Sequence, residues 1–380
     1  MILIFQRVLV HYRVPIFREI NRRTGAILCF GKNGPKNTFL SRVTPDFKHY
    51  QVKGYYPMSK IDTLVIQNVL TPLIKFKPDV IIVEFALCIL SNWILLFLRP
   101  FLGYKLILWS HGYNRQTGFH PERLFADKIR LWWMNMADAV ILYGQEGKKR
   151  IAPYLKNPEK IFVAPNTLDT GRLTEIRKQL ERVGKDNIKE QIGFKEKHNL
   201  IYIGRLLREK GTDRLIDVFR IVSKQLNSVE LHIIGNGPLL NQLKTVSKGL
   251  KVKFRGSITD DETAGKLLYA SDLMVMLGDL GLSVVHSFCF DLPVLSQKTG
   301  PNGPFHGPEV EYVIDNKTGF LLPYGNDELM AKIIMEYLLD NAKQKEMKEE
   351  IRNIVENVCS MDNMINGFMG AIKYIERGNR

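Results

Sequence analysis

The sequence predicts an α/β protein of two doubly wound domains, each a parallel sheet covered by helices. Two observations carry this reading. Short runs rich in Val, Ile and Leu alternate with helix-length segments, the pattern of parallel strands joined by crossover helices. The alternation occurs twice, on either side of a charged helical segment at residues 173–189 that has little strand character. A chain of 380 residues is long enough for two such domains, each with its own core.

Taken in order, residues 1–5 are a short strand, and His11-Tyr12-Arg13-Val14-Pro15 is a loop leading into a helix at 16–20. Further strands are expected at 26–30, 80–83, 105–109, 139–142 and 161–163. The loop after Trp109 carries Ser110-His111-Gly112, and ligands of such sheets sit outside the carboxyl ends of the strands, so His111 is well placed for chemistry. Residues 85–98 are an uncharged, mostly apolar run, shorter than the roughly 20 residues that span a bilayer. It reads first as a buried helix, and alternatively as one whose Trp93, Phe97 and Phe101 dip into a membrane interface.

After Pro165-Asn166-Thr167 the texture changes, and the boundary is placed there: a first domain at 1–165, a second at 166–358, and a final segment at 359–380. Second-domain strands are expected at 199–203, 230–234, 251–254, 273–277 and 293–296, each ending in glycine or polar residues. Leu215, Ile216, Phe219, Val222 and Leu226 mark one face of a helix. Thr259-Asp260-Asp261-Glu262 has capping-box spacing. Met361, Met364, Ile365, Phe368, Ile372 and Ile375 recur at helical spacing in the last segment, with Ser360 as its N-cap.

Charge is uneven. Residues 1–165 hold 24 Lys and Arg against 10 Asp and Glu, a balance of +14, whereas 166–380 hold 30 against 29. A basic first domain suits an anionic membrane surface or an anionic substrate. Nucleic acid is disfavoured, because no aromatic and glycine RNA-binding signature or basic recognition helix is found. Cys29, Cys88, Cys289 and Cys359 have neither disulfide-scaffold nor metal-ligand spacing, which predicts reduced cytosolic thiols. The apolar start is cut short by Gln6 and Arg7, so no signal peptide is expected and the protein should stay in the cytoplasm.

The stretch from Leu277 to His286 organises the chemistry. An apolar run ends at Gly278 and Gly281, and a helix then begins with exposed amides that favour an anion. An ordinary turn with a surface histidine is the alternative. Arg205 and Lys210, five apart across a glycine-flanked turn, could grip a diphosphate with that helix start, or could be solvated surface charges. Gly235-Asn236-Gly237 is a weak dinucleotide hint, since position 240 is Leu. No Asp-x-Asp and no His/Cys cluster is present, so neither a tightly held metal nor a separate cofactor is expected.

Gly204-Arg205-Leu206 with Glu209-Lys210-Gly211, Ile234 through Pro238, Phe254-Arg255-Gly256, Gly281-Leu282 through Leu292-Pro293-Val294, and Asn316 through Phe320 together resemble family 4 glycosyltransferases of GT-B fold. In the first half the resemblance rests on Tyr12 through Pro15, His111-Gly112 and Pro165-Asn166-Thr167. It implies two Rossmann-like domains facing across a cleft, with the last helix crossing back onto the first, acceptor-binding domain. The implied reaction is sugar transfer from a nucleotide-diphosphate donor with retention, in polysaccharide or lipopolysaccharide assembly, on a lipid-linked or glycan acceptor at the inner membrane face. Arg205 and Lys210 would hold the diphosphate. The loops at Gly204, Gly235 and Asn236, and at Gly256 and Ile258, would border the nucleotide. Gly281, Leu282 and Ser283 would meet phosphate or sugar, and His111 the donor sugar. Most members carry two glutamates eight apart where this chain has Gly278 and His286. Asp279 or backbone would then contact the sugar and His286 the ribose, unless His286 is an ordinary helix histidine. The alternative function is a noncatalytic nucleotide-sugar-binding partner.

Overall fold

The computed structural model describes residues 1–32, 44–56 and 64–377. The chain divides into two compact units, one formed by Met1–Asp169 with Met361–Arg380 and the other by Thr170–Ser360. The division falls four residues beyond the position expected from the change of texture.

The first unit runs β1 (Ile2–Gln6), α1 (Val14–Thr24), β2 (Ile27–Gly31), β3 (His49–Val52), β4 (Gly54–Tyr55), β5 (Ile66–Gln67), α2 (Leu70–Phe76), β6 (Val80–Glu84), α3 (Leu90–Leu102), β7 (Lys105–Ser110), α4 (Phe125–Met136), β8 (Ala139–Leu142), α5 (Gln145–Ile151) and β9 (Ile161–Val163). Its main sheet has seven parallel strands in the order β3-β2-β1-β6-β7-β8-β9. Strand residues alternate between two cores, as a sheet buried on both faces requires. Leu3, Phe5, Ile81, Val83, Leu106 and Leu108 point one way, toward α2, α3 and α4. Ile4, Ile82, Ile107 and Trp109 point the other, toward α1 and the C-terminal helix (Met361–Arg377). That helix buries Met364, Ile365, Phe368, Ala371, Ile372 and Ile375, all but Ala371 being residues whose spacing marked it in the sequence, while Met361 is half-buried.

The second unit runs α6 (Thr170–Val183), α7 (Lys185–Gln191), β10 (His198–Ile203), α8 (Thr212–Gln225), β11 (Val229–Ile234), α9 (Leu240–Val246), β12 (Val252–Gly256), α10 (Asp261–Ala270), β13 (Leu273–Val275), α11 (Ser283–Phe288), β14 (Val294–Gln297), β15 (Gly319–Leu322), α12 (Asp327–Leu339) and α13 (Asn341–Asn357). Its six strands are parallel, in the order β12-β11-β10-β13-β14-β15. The order reverses between β10 and β13, and such a switch point opens a crevice at the strand ends.

Several elements differ from expectation. The single helix expected at 173–189 is two, broken at Gly184, whose φ of +89° no helix continues through. The strand expected at 273–277 ends at Val275, and Met276 and Leu277 continue as buried loop. The acids at 260–262 do cap a helix, as their spacing suggested: Asp260 is the cap of α10, with its side chain accepting from the Thr263 amide at 2.7 Å. The reading of α3 as a buried helix is overturned, because Phe97 and Phe101 are 62% and 84% exposed.

Candidate functional site

At the switch point of the second unit, the loops after β10, β11, β12 and β13 are laced together by backbone. The Gly204 amide donates to the Ile234 carbonyl (3.0 Å), Leu206 to Asn236 (3.0 Å) and Gly235 to Gly256 (2.8 Å). The Asp279 amide donates to the Glu209 carbonyl at 2.9 Å, joining the loop after β13 to the turn that carries Lys210. Glycine makes this closeness possible. A Cβ on Gly235 would lie 1.8 Å from the Gly204 carbonyl oxygen, and one on Gly278 would lie 2.2 Å from the Lys210 carbonyl carbon.

Gly204, Arg205, Lys210, Gly235, Asn236, Gly256, Asp279, Gly281, Leu282 and Ser283 therefore lie on neighbouring loops at one sheet edge. The Lys210 ammonium folds onto the loop after β13 and donates to the Asp279 carbonyl at 2.6 Å. Arg205 is exposed, and its carbonyl is held by the Tyr202 hydroxyl at 2.8 Å. A Cβ on Gly281 or Gly256 would meet nothing within 4 Å, so both glycines face open space. Helix α11 is only six residues long. Its first bonds are donated by Val284 to Gly281 and by His286 to Leu282, both at 3.0 Å, which leaves the amides of Gly281, Leu282 and Ser283 ahead of its hydrogen-bond ladder.

Three residues that the sequence gave no reason to choose hold this loop in place. The His306 Nδ1 accepts from the Leu280 amide (3.2 Å) while its Nε2 donates to the Gln297 carbonyl (2.8 Å), which sets the tautomer. The Gln297 side-chain amide donates to the Leu277 carbonyl, and the Phe305 amide donates to Asp279 Oδ1 at 2.6 Å. One oxygen of the Asp279 carboxylate is thus already engaged. The bonds to Leu280, Leu277 and Asp279 join residues 20 to 26 apart in sequence, a separation at which no local motif forms.

His286 lies on α11 with its ring 5.8 Å from that of Phe290. Burial lowers its pKa, with the charge of Asp261 at the start of α10 acting the other way, so the imidazole is neutral near pH 7. Its Nε2 is buried and has no hydrogen-bond partner among the described residues. A buried ring nitrogen without a partner is a site waiting for a polar group. Ile258 is half-buried on the loop between β12 and α10. Arg255, beside it, is turned inward: its guanidinium lies 5.4 Å over the Phe194 ring, donates to Ile192 O at 3.3 Å, and approaches His232 Nδ1 at 3.3 Å.

His111 belongs to the first unit, where it follows β7 on a turn fixed by Gly112. At φ +84° a Cβ on Gly112 would come within 2.3 Å of Ile151 Cδ1. The His111 ring lies 4.8 Å from that of Tyr143. Its pKa is pushed down to about 4 by burial first, then by the Arg115 and Arg13 charges, so it is neutral at pH 7. Buried Arg13 lies over the rings of Trp109 (5.1 Å), Tyr143 (5.6 Å) and Tyr12 (5.7 Å) and donates to Asn166 Oδ1. Nearby Arg7 is paired with Glu84, Nε to Oε1 at 2.7 Å. Among the described residues, no group of three or more His, Cys, Asp or Glu is arranged to hold a metal ion.

The model for glycosyl transferases group 1 matches residues 184–354. An uncharacterised glycosyltransferase of Methanocaldococcus jannaschii is 26% identical over 302 residues, 76% of this chain and 72% of its own. The alpha-monoglucosyldiacylglycerol synthase of Streptococcus pneumoniae is 28% identical over 189 residues, 46% of this chain and 40% of its own. Among solved structures, Anabaena Alr3699/HepE in complex with UDP superimposes with a TM-score of 0.70 at 16% identity, covering 98% of this chain and 99% of that one. Residues 184–354 match the glycosyl transferases group 1 model, the chain has the GT-B fold of its solved neighbours, and the protein is a glycosyltransferase.

Proposed function

We propose that the chain is a retaining glycosyltransferase that passes a sugar from a nucleotide-diphosphate donor to a lipid-linked or polysaccharide acceptor in cell-surface glycan assembly. It would work in the cytoplasm, at the inner face of the membrane. The observation that carries the donor assignment is Lys210, whose ammonium lies against the loop that also presents the amides of Gly281 to Ser283.

In the reaction, the bond from the anomeric carbon to the donor phosphate oxygen breaks and a bond to the acceptor oxygen forms. The acceptor hydroxyl proton leaves with the departing diphosphate. Negative charge grows on that diphosphate, and Lys210, Arg205 and the three amides would be the donors that meet it. His286 Nε2 would take a ribose hydroxyl, and Asp279, oriented by the Phe305 amide, would face the sugar. His111, kept neutral, would hydrogen-bond the donor sugar without placing a cation beside a developing oxocarbenium. Names of relatives support a lipid or surface-polymer acceptor, one being named for the synthesis of a monoglucosyldiacylglycerol and another for transfer to poly(ribitol-phosphate). The excess of basic residues in the first unit supports an anionic acceptor.

The test is transfer of labelled sugar from a panel of UDP and GDP donors into a membrane lipid extract. Lys210→Ala and Arg205→Ala should each lower the rate by at least about ten-fold, since a charge-assisted bond contributes roughly 1.5–3 kcal/mol. Near-normal turnover in either variant removes that residue from the diphosphate site. Donor binding without transfer by the wild type would favour a noncatalytic nucleotide-sugar-binding partner.

A further inference from the structure

Helices α2, α3 and α4 cover one face of the first unit's sheet, and their outer sides are apolar. On α3, Leu90, Ile94, Phe97 and Phe101 recur at helical spacing and are 37%, 37%, 62% and 84% exposed. Helix α4 adds Phe125, Trp132 and Met136, and α2 adds Leu70 and Ile74, the last 76% exposed. Trp93 joins α3 to α4, stacked on both Phe97 and Trp132 at 6.2 Å and edge-on to Trp133 at 5.0 Å. A helix covering a sheet normally turns polar residues outward, and a contiguous exposed apolar patch marks an interaction surface.

The charge around the patch identifies what covers it. The only charged residue of α3 is Arg99, which is tied to Asp138 and to the Met136 carbonyl. On α2 and α4 and the turns that end or begin them, the exposed cations are Lys75, Lys77, Arg123 and Lys128. The exposed acids of the same stretch are already engaged, Asp79 by the chain's amino terminus and Glu122 by His120 Nδ1 at 3.2 Å. A two-fold pairing of this face would bring cations against cations, whereas anionic lipid head groups would neutralise them while the rings enter the acyl boundary. No helix among the described residues is long and apolar enough to cross a membrane.

We infer that the α2, α3 and α4 layer is a membrane-docking face that lies flat on an anionic bilayer, with Phe97, Phe101, Phe125 and Trp132 as its interfacial side chains. It deepens the membrane placement in the proposed function and is independent of the donor site.

The full chain is floated with vesicles of phosphatidylcholine alone or mixed with equal parts phosphatidylglycerol. Wild type should float with the anionic vesicles only, and less as salt is raised. Phe97→Glu with Phe101→Glu, and separately Lys75→Glu with Lys77→Glu, should each cut the bound fraction about ten-fold. UDP-induced thermal stabilisation should be unchanged in both, which shows that fold and donor site persist. Lipids brominated on the acyl chain should quench wild-type tryptophan fluorescence, and Trp132→Phe combined with Trp93→Phe should lose most of that quenching, because Trp109 and Trp133 are fully buried. Absent flotation, or variants that float like wild type, overturns the inference. So does a wild-type dimer that the phenylalanine variants split, which would make the face an interface between copies.

Discussion

Gly278 occupies the place where most relatives by resemblance carry a glutamate, and its surroundings explain the difference. Any Cβ there would collide with the Lys210 backbone, 2.2 Å from its carbonyl carbon and 2.3 Å from the Glu209 carbonyl oxygen. The close approach lets the Asp279 amide bond Glu209 and sets Lys210 against the loop. Restoring the glutamate should therefore damage the site. Gly278→Glu is expected to destabilise the protein by about 1–3 kcal/mol, as overpacking does, and to weaken UDP binding. Calorimetry checks both, and a variant of full stability with improved turnover would show that the position is merely vacant. His306 makes a second residue-scale case. His306→Ala removes the acceptor of the Leu280 amide and the donor to Gln297, so the loop loosens. A several-fold rise in donor KM is expected, with little change in unfolding temperature. Sequence marked Arg205, Lys210 and Gly281 because each sits in a short local pattern, whereas His306, Gln297 and Phe305 act across long separations that no window shows.

The C-terminal helix is held by close packing. Its Gly367 and Gly370 lie on β9, where a Cβ on the first would come 2.3 Å from the Val163 carbonyl oxygen and one on the second 3.0 Å from Phe162 Cδ1. Phe368 is fully buried, edge-on to Trp109 at 4.8 Å. Phe368→Ala should cost about 3–5 kcal/mol, read as a lower unfolding midpoint in denaturant. A loss under about 1 kcal/mol would mean that the helix is held elsewhere. This helix was legible because its six apolar residues repeat on one side. The central strands were legible for a related reason: parallel strands buried on both faces read as unbroken Val, Ile and Leu runs. Strand β3, His49–Val52, was missed because it is a polar edge strand, and β15 because it opens with Gly319. For α3 the residues were visible but their surroundings were not. An apolar helix looks alike in sequence whether its outer side meets protein or solvent, and only the tertiary structure showed Phe97 and Phe101 uncovered.

At the scale of the whole molecule, buried histidines tie stability to pH. His111 is pushed down to about 4 and His232 to about 3, and His286 is lowered, in each case by burial first. His232 is stacked 3.7 Å from Phe194, with Nε2 to Asn199 Oδ1 at 3.1 Å and Nδ1 facing Arg255. It is neutral, so its contact with Glu230 at 3.4 Å is not an ion pair. All three pKa values fall below the unfolded value of about 6.5. Folding therefore favours the neutral forms, and the stability they contribute is complete above about pH 6.5 and lost as pH falls toward the folded values. Each histidine adds up to about 1.4 kcal/mol per pH unit across that window. Thermal unfolding followed from about pH 7.5 down to about 4.5 should show midpoints falling in both units, and a flat profile would contradict the assignment. The central claim is that the donor diphosphate binds between Lys210 and the amides after Gly281. It is tested most directly by calorimetric titration of UDP and GDP into wild type and Lys210→Ala. At 100 times its dissociation constant, the right nucleotide should stabilise wild type by about 2.7 kcal/mol, and Lys210→Ala should bind it at least about ten-fold more weakly. Equal affinity in the two proteins would contradict the account.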